Sequence, residues 1–270
     1  EAIATIAMGS SADVDKAVAA AKEAFKTFGH SSVEERIDLL ERILKAYEAR
    51  EEEFVRMMPH EMGTTLSFSR EVHQPVGVGH LEAAFEALKA HEFERTLLRG
   101  GFTLVDEPVG VVGMITPWNW PVNQIMSKVA PALAAGCTMV LKPSEYSPLT
   151  SVMLAEVIDA AGCPPGVFNM INGDGLAVGE PIAKHEDIDM VSFTGSTRAG
   201  KAVTKAAADT IKRVSLELGG KSPNLLFADA DLPAAAKVSV DACFINNGQR
   251  CDAASRLLVE KSVYDEVVSL

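Results

Sequence analysis

Cys251 stands in the stretch NNGQRCDAAS, behind two asparagines, a glycine, a glutamine and an arginine. Polar flanks of this kind belong to a loop, where a thiolate can be stabilised and reached, and the thiolate is the nucleophilic form of cysteine. Cysteine also serves as a small buried hydrophobe, and Cys137, Cys163 and Cys243, in apolar or Ala/Gly contexts, are assigned that part. Glu217, in SLELGG, lies between Leu216 and Leu218. A carboxylate is costly to bury there. It is either a general base with a raised pKa or a strand residue facing solvent.

Two further stretches carry groups suited to a phosphorylated or ribose-bearing ligand. In LKPSEYSP, Lys142 and Glu145 follow an apolar run. A glutamate so placed can accept both hydroxyls of a ribose, or the run is a surface turn that caps the next helix. In FTGSTRAG, Gly195 allows a tight turn, and Ser196, Thr197 and a helix N-terminus offer donors to an anion. A Gly-Ser turn from strand to helix is also ordinary capping. Neither GxGxxG nor a Walker A pattern occurs.

Regular elements must hold these groups. SADVDKAVAAAKEAF puts Val14, Ala17, Val18, Ala21 and Phe25 at helical spacing, with Ser10 and Asp13 as a capping box. SSVEERIDLLERILKAYEAREEEF repeats the device with Ser32 and Glu35, and predicts a stripe of Ile37, Leu40, Leu44 and Tyr47. The run Glu51, Glu52 and Glu53 reads as a solvated helix face. After Gly100-Gly101 short β-branched runs alternate with Ala-rich helical ones: VGVVGMITP then SKVAPALAAG, TMVLKP then LTSVMLAEVIDAAG, VFNMING then AVGEPIAKHED, DMVSFTG then STRAGKAVTKAAADT. Such alternation predicts an α/β fold with βαβ units and a doubly wound parallel sheet, covered on both faces. In such sheets ligands sit beyond the carboxyl ends of the strands, where ITPWNWP, LKPSEYSP, NGDG, FTGSTRAG and LELGGKS all fall. Gly219-Gly220 breaks the alternation and marks the domain boundary.

The bulk properties narrow the field. The 270 residues are 47% hydrophobic, enough for a sizeable core. A net charge of −12 opposes a nucleic-acid surface, which wants clustered Lys and Arg. Four cysteines without a pairing pattern suit a reducing, cytoplasmic setting. No apolar run reaches the ~18 residues of a membrane span. No metal site is singled out. A chain opening on Glu1, with no basic and apolar leader, reads as carrying no signal peptide and as a piece of something longer.

PWNWP, KPSE, FTGSTRAG, LELGGKSPN and NNGQRC, in this order, resemble the NAD(P)-dependent aldehyde dehydrogenase superfamily over nearly the whole chain. The resemblance implies a Rossmann-like cofactor domain with N-terminal helices over 1–218, then the first part of a second α/β, catalytic domain over 219–270, since family chains continue past the nucleophile. It implies that Cys251 attacks an aldehyde carbonyl, with the oxyanion held by the side-chain amide of Asn119 and the N–H of Cys251. Hydride then passes to a nicotinamide, and Glu217 activates the water that hydrolyses the thioester. Lys128 matches a lysine that helps proton movement; beside this stands its reading as a helix-surface lysine. The cofactor, NAD rather than NADP, would contact Ile115, Thr116 and Trp118, then Lys142 and Glu145 at the adenosine ribose, with Gly175 and Gly179 on the adenine side. Gly195 and Ser196 would hold the pyrophosphate, and the Leu218 backbone the nicotinamide amide.

The resemblance also implies a homodimer or homotetramer with a small aldehyde as substrate. A CoA-acylating member is opposed by Glu217, since those enzymes lack a hydrolytic base. A non-catalytic nucleotide-binding fragment is opposed by the joint presence of Cys251, Glu217 and Asn119. Trp120, Asn123, Gln124 and Ser127 fall on one helical face beside Asn119 and point to a substrate with a polar or carboxylate-bearing tail, such as a semialdehyde.

Overall fold

Ser10 and Ser32 open the first two helices by one device. The Asp13 carboxylate accepts from the backbone N–H and hydroxyl of Ser10 at 3.0 and 2.9 Å. Glu35 and Ser32 exchange bonds of 2.8 and 3.1 Å. These caps start α1 (Ser11–Phe28) and α2 (Val33–Glu48) in a computed structural model that describes residues 2–97 and 100–270. The buried stripe of α1 runs Val14, Val18, Ala21 and Phe28. That of α2 runs Arg36, Leu39, Leu40, Ile43 and Tyr47, so Ile37 and Leu44, expected within it, lie half-buried at its edge. Arg36 turns the stripe: its guanidinium is buried to reach the carbonyls of Ala134 (2.8 Å) and Ser32 (3.2 Å).

Three more helices follow, of which the sequence pattern singled out the acidic opening of the first. They are α3 (Glu51–Met62), the single turn α4 (Leu66–Phe68) and, after a π-turn at Ser69–His73, α5 (Gln74–Ala90). Glu51, Glu52 and Glu53 are exposed as expected, with Glu52 and Glu53 paired to Arg70 and Arg50. A short antiparallel hairpin, β1 (Glu94–Thr96) with β2 (Thr103–Val105), has no counterpart in the sequence pattern.

The expected alternation forms β3 (Val111–Ile115), α6 (Pro121–Ala134), β4 (Thr138–Lys142), α7 (Pro148–Ala160), β5 (Phe168–Met170), α8 (Glu180–Lys184), β6 (Met190–Gly195), α9 (Thr197–Ala208) and β7 (Arg213–Leu218). The sheet order is β5-β4-β3-β6-β7, with β3/β4, β3/β6 and β4/β5 parallel. The chain winds outward from β3 to β5 and then returns to lay β6 on the other side of β3, which makes β3/β6 the topological switch point. Every residue of β3 and β4 is buried, as continuous apolar strands require. Gly113 allows α8 to close on this sheet, since a Cβ there would stand 2.5 Å from Ile182. One core, including Tyr47, Phe54, Met114, Ile125, Met126, Leu133, Met139 and Leu141, fills the space between sheet and helices.

The chain divides into two compact units, Glu1–Glu217 and Leu218–Leu270. In the second, β8 (Pro223–Leu226) pairs in parallel with β9 (Arg256–Val259) through the crossover helix α10 (Leu232–Phe244), and α11 (Tyr264–Ser269) ends the chain. Asp231 caps α10, and Leu226, Leu232 and Val267 form its small core. Among the described residues no helix is long and apolar enough to cross a membrane.

Candidate active site

The carboxyl ends of β3, β4, β5 and β6 gather most of the first unit's candidate residues. Thr116, one step past β3, donates its N–H to the Lys142 carbonyl at 3.1 Å and ties two strand ends together. Lys142 is buried, and its ammonium donates to the carbonyls of Pro143 (2.6 Å) and Gly173 (2.7 Å) and to the Glu145 carboxylate (3.2 Å). Burial pushes its pKa down, against the pull of Glu145 and Asp174. A Cβ on Gly179 would stand 3.6 Å from the Lys142 stem and 3.8 Å from Ile115, so Ile115, Lys142, Glu145 and Gly179 share one corner. Gly175 faces open space within the π-turn Gly175–Gly179, which Asp174 caps through Leu176 and Ala177.

The FTGSTRAG turn has local work of its own. Ser196 caps α9 by accepting from Ala199 N–H at 3.2 Å. Gly195 has a packing reason as well, for a Cβ there would meet the Phe193 ring at 2.6 Å. A helix N-terminus with N–H groups unpaired within the helix also suits an anion.

Three buried side-chain oxygens lie at or just past these strand ends with no hydrogen-bond partner among the described residues: Thr116 Oγ1, Thr194 Oγ1 and Asn172 Oδ1. Burying such groups unpaired is costly. Their places at the carboxyl ends of β3, β6 and β5 suit a polar ligand laid across the switch point. Thr116 is named through the family resemblance, whereas Thr194 and Asn172 are not, since in sequence they look like ordinary strand and loop residues.

PWNWP runs from β3 into α6. Trp118 is 40% exposed, and Asn119 is half-buried one residue before the N-cap, Trp120. The Trp120 ring packs on His73 (4.5 Å between centroids) and Phe68 (5.7 Å), an anchor that no sequence spacing discloses. Asn123 bonds His80 of α5 at 2.7 Å. Lys128 is half-buried: its Nζ donates to Ser192 Oγ of β6 at 3.0 Å. Desolvation lowers its pKa, and the charge of Glu217 opposes this. Lys128 thus sits on α6 half-buried, with its ammonium turned to β6. Glu217 is exposed on β7, whose residues alternate between exposed and half-buried.

Cys251 and Leu218 belong to the second unit. Asn246 and Asn247 (φ 52° and 57°) and Gly248 (φ 74°) are three successive left-handed residues. Asparagine and glycine are the types that tolerate this conformation, which accounts for the polar NNG run. Asn246 and Gln249 lock the turn by reciprocal bonds of 3.3 and 3.1 Å to each other's carbonyls. Arg250 and Asp252 pair on either side of Cys251 at 2.8 and 2.6 Å. Cys251 itself is exposed, and its carbonyl is 3.6 Å from where a Cβ on Gly220 would stand. Cys137 is buried, while Cys163 and Cys243 are half-buried; burial pushes the Cys163 thiol up to about 12.

A protein-family model for the aldehyde dehydrogenase family matches residues 1–270. The 3-succinoylsemialdehyde-pyridine dehydrogenase of a Pseudomonas species is 50% identical over 98% of this chain and 55% of its own length. An aldehyde dehydrogenase of Bartonella henselae superposes with a TM-score of 0.97 at 48% identity, over 100% of this chain and 57% of that one. A mutant of aldehyde dehydrogenase C from Pseudomonas syringae, complexed with NAD+ and octanal, gives 0.97 at 47% identity, over 100% and 55%. The chain thus spans about half the length of the relatives it matches. It belongs to the aldehyde dehydrogenase family.

Proposed function

We propose that this protein uses NAD to oxidise an aldehyde to a carboxylic acid. The observation that carries the reading is Cys251, exposed at the end of a loop that three left-handed residues and the Asn246–Gln249 bonds shape. Its thiolate adds to the carbonyl carbon, and the Asn119 amide and the Cys251 N–H stabilise the oxyanion. NAD, when bound, supplies the hydride acceptor. Loss of hydride from the tetrahedral adduct leaves the acyl group on Sγ as a thioester. Glu217 takes a proton from water, which attacks the thioester and releases the carboxylic acid and the thiol. Lys128 exchanges a proton during these steps, a part suited to an ammonium whose pKa burial has lowered.

The orphaned oxygens of Thr116, Thr194 and Asn172 fit the cofactor. Ile115, Thr116, Trp118, Lys142, Glu145, Gly175, Gly179, Gly195, Ser196 and the Leu218 backbone would hold it. Residues 1–218 form its domain in this reading, and 219–270 belong to the catalytic domain. The protein works in the cytoplasm as a homodimer or homotetramer. For the substrate we infer a polar tail, supported by Asn123 with its His80 bond and by the small, exposed Ser127.

The test is mass spectrometry of Cys251 in Glu217→Gln protein after exposure to aldehyde and NAD. An acyl adduct on Cys251 is expected. An unmodified Cys251 alongside NADH formation overturns the reading.

A further inference from the structure

Lys128 and Ser192 come from different elements, α6 and β6, and meet 64 positions apart in sequence at 3.0 Å. Ser192 alternates along β6 with Val191 and Phe193, which are buried on the other face, so its hydroxyl and that of Thr194 point the same way. An ammonium has three donors, and one given to a fixed strand hydroxyl sets the direction of the other two. The four-carbon stem of lysine otherwise leaves the charge free to wander.

We propose that Ser192 is a positioning residue whose hydroxyl holds the Lys128 ammonium in the orientation from which it exchanges a proton during aldehyde oxidation. This rests on the function proposed above. Two observations support it beyond the bond itself. The α2, α5, α7 and β4 elements pack on α6, yet among the described residues the charge that acts on Lys128 is Glu217 of β7. Burial pulls the Lys128 pKa down while Glu217 holds it up, so the balance is sensitive to a single hydrogen bond on the charged form.

The experiment compares wild type, Ser192→Ala, Ser192→Thr, Lys128→Gln and the Ser192→Ala/Lys128→Gln pair in two readouts. Kinetically, Ser192→Ala is expected to lower kcat about tenfold, the size of one charge-assisted hydrogen bond, with little change in the KM for aldehyde. The basic limb of its kcat profile moves to lower pH, Ser192→Thr restores both, and the pair is no slower than Lys128→Gln alone. By NMR of the labelled lysine ε-carbon, Lys128 titrates at lower pH in Ser192→Ala. A full loss from Ser192→Ala in the Lys128→Gln background, or an unmoved Lys128 titration, overturns the proposal. A wild type that oxidises no aldehyde while its Lys128 titration still responds to Ser192→Ala overturns the proposed function and leaves the positioning role standing.

Discussion

Glu145 holds its carboxylate 3.2 Å from the ammonium of Lys142, whose other two donors are spent on the carbonyls of Pro143 and Gly173. Lysine has three donors, and all are taken. Lys142 therefore cannot turn to neutralise a 2′-phosphate without surrendering a bond inside a buried turn. We expect NAD to be preferred over NADP, because the phosphate would face the Glu145 carboxylate at a cost on the order of a few kcal/mol. The check is kcat/KM for both cofactors in wild type and Glu145→Ser. The substitution should weaken the use of NAD and improve that of NADP; a wild-type preference for NADP would displace Glu145 from the ribose.

Cys251→Ala should abolish oxidation while leaving NAD affinity within about twofold, since the proposed cofactor contacts lie at other strand ends. Calorimetric titration with NAD and a steady-state assay read the two effects separately. Residual turnover above background would remove Cys251 from the chemistry.

Glu217→Gln keeps the shape and loses the proposed base. One equivalent of NADH should form in a burst, followed by a steady rate lower by about two to four orders of magnitude, as loss of a general base implies. Stopped-flow absorbance resolves the phases. Turnover at the wild-type rate would give the hydrolytic step to another group.

Lys128→Met should raise Tm near neutral pH, because a charge held in place by a neutral hydroxyl is exchanged for an apolar chain of similar volume. The sign of the pH dependence follows from the lowered pKa. The folded protein binds its proton less tightly than the unfolded chain. The wild-type penalty is therefore full below the folded pKa and fades as pH rises towards the unfolded value near 10.5. The Tm gap between variant and wild type should close over the same range in a thermal melt series.

Glu61→Ala should destabilise the first unit by about 1–3 kcal/mol, read as a lower denaturant midpoint. The Glu61 carboxylate accepts from the N–H groups of Leu149 and Thr150 and from the Thr150 hydroxyl, closing the first turn of α7 from the end of α3. An unchanged midpoint would mean that water caps α7 equally well.

What the sequence by itself determined was everything carried by local rules. The capping boxes at Ser10 and Ser32, the buried β3 and β4 and the alternation of strand and helix follow from spacing and from continuous apolar runs. The same runs placed PWNWP, KPSE and FTGSTRAG at strand ends, because a parallel sheet leaves its loops there. Tertiary structure decided what depends on distant partners. The α2 stripe shifted when Arg36 was drawn inward by a carbonyl at Ala134. Trp120 took its place from His73 and Phe68, α7 took its cap from Glu61, and Lys128 took its direction from Ser192. Even the NNG run, legible as polar and turn-like, showed its physical reason only through three positive φ angles. A side chain's propensity is written in its neighbours along the chain, whereas its hydrogen-bond partner and its desolvation are set by whichever element folds against it.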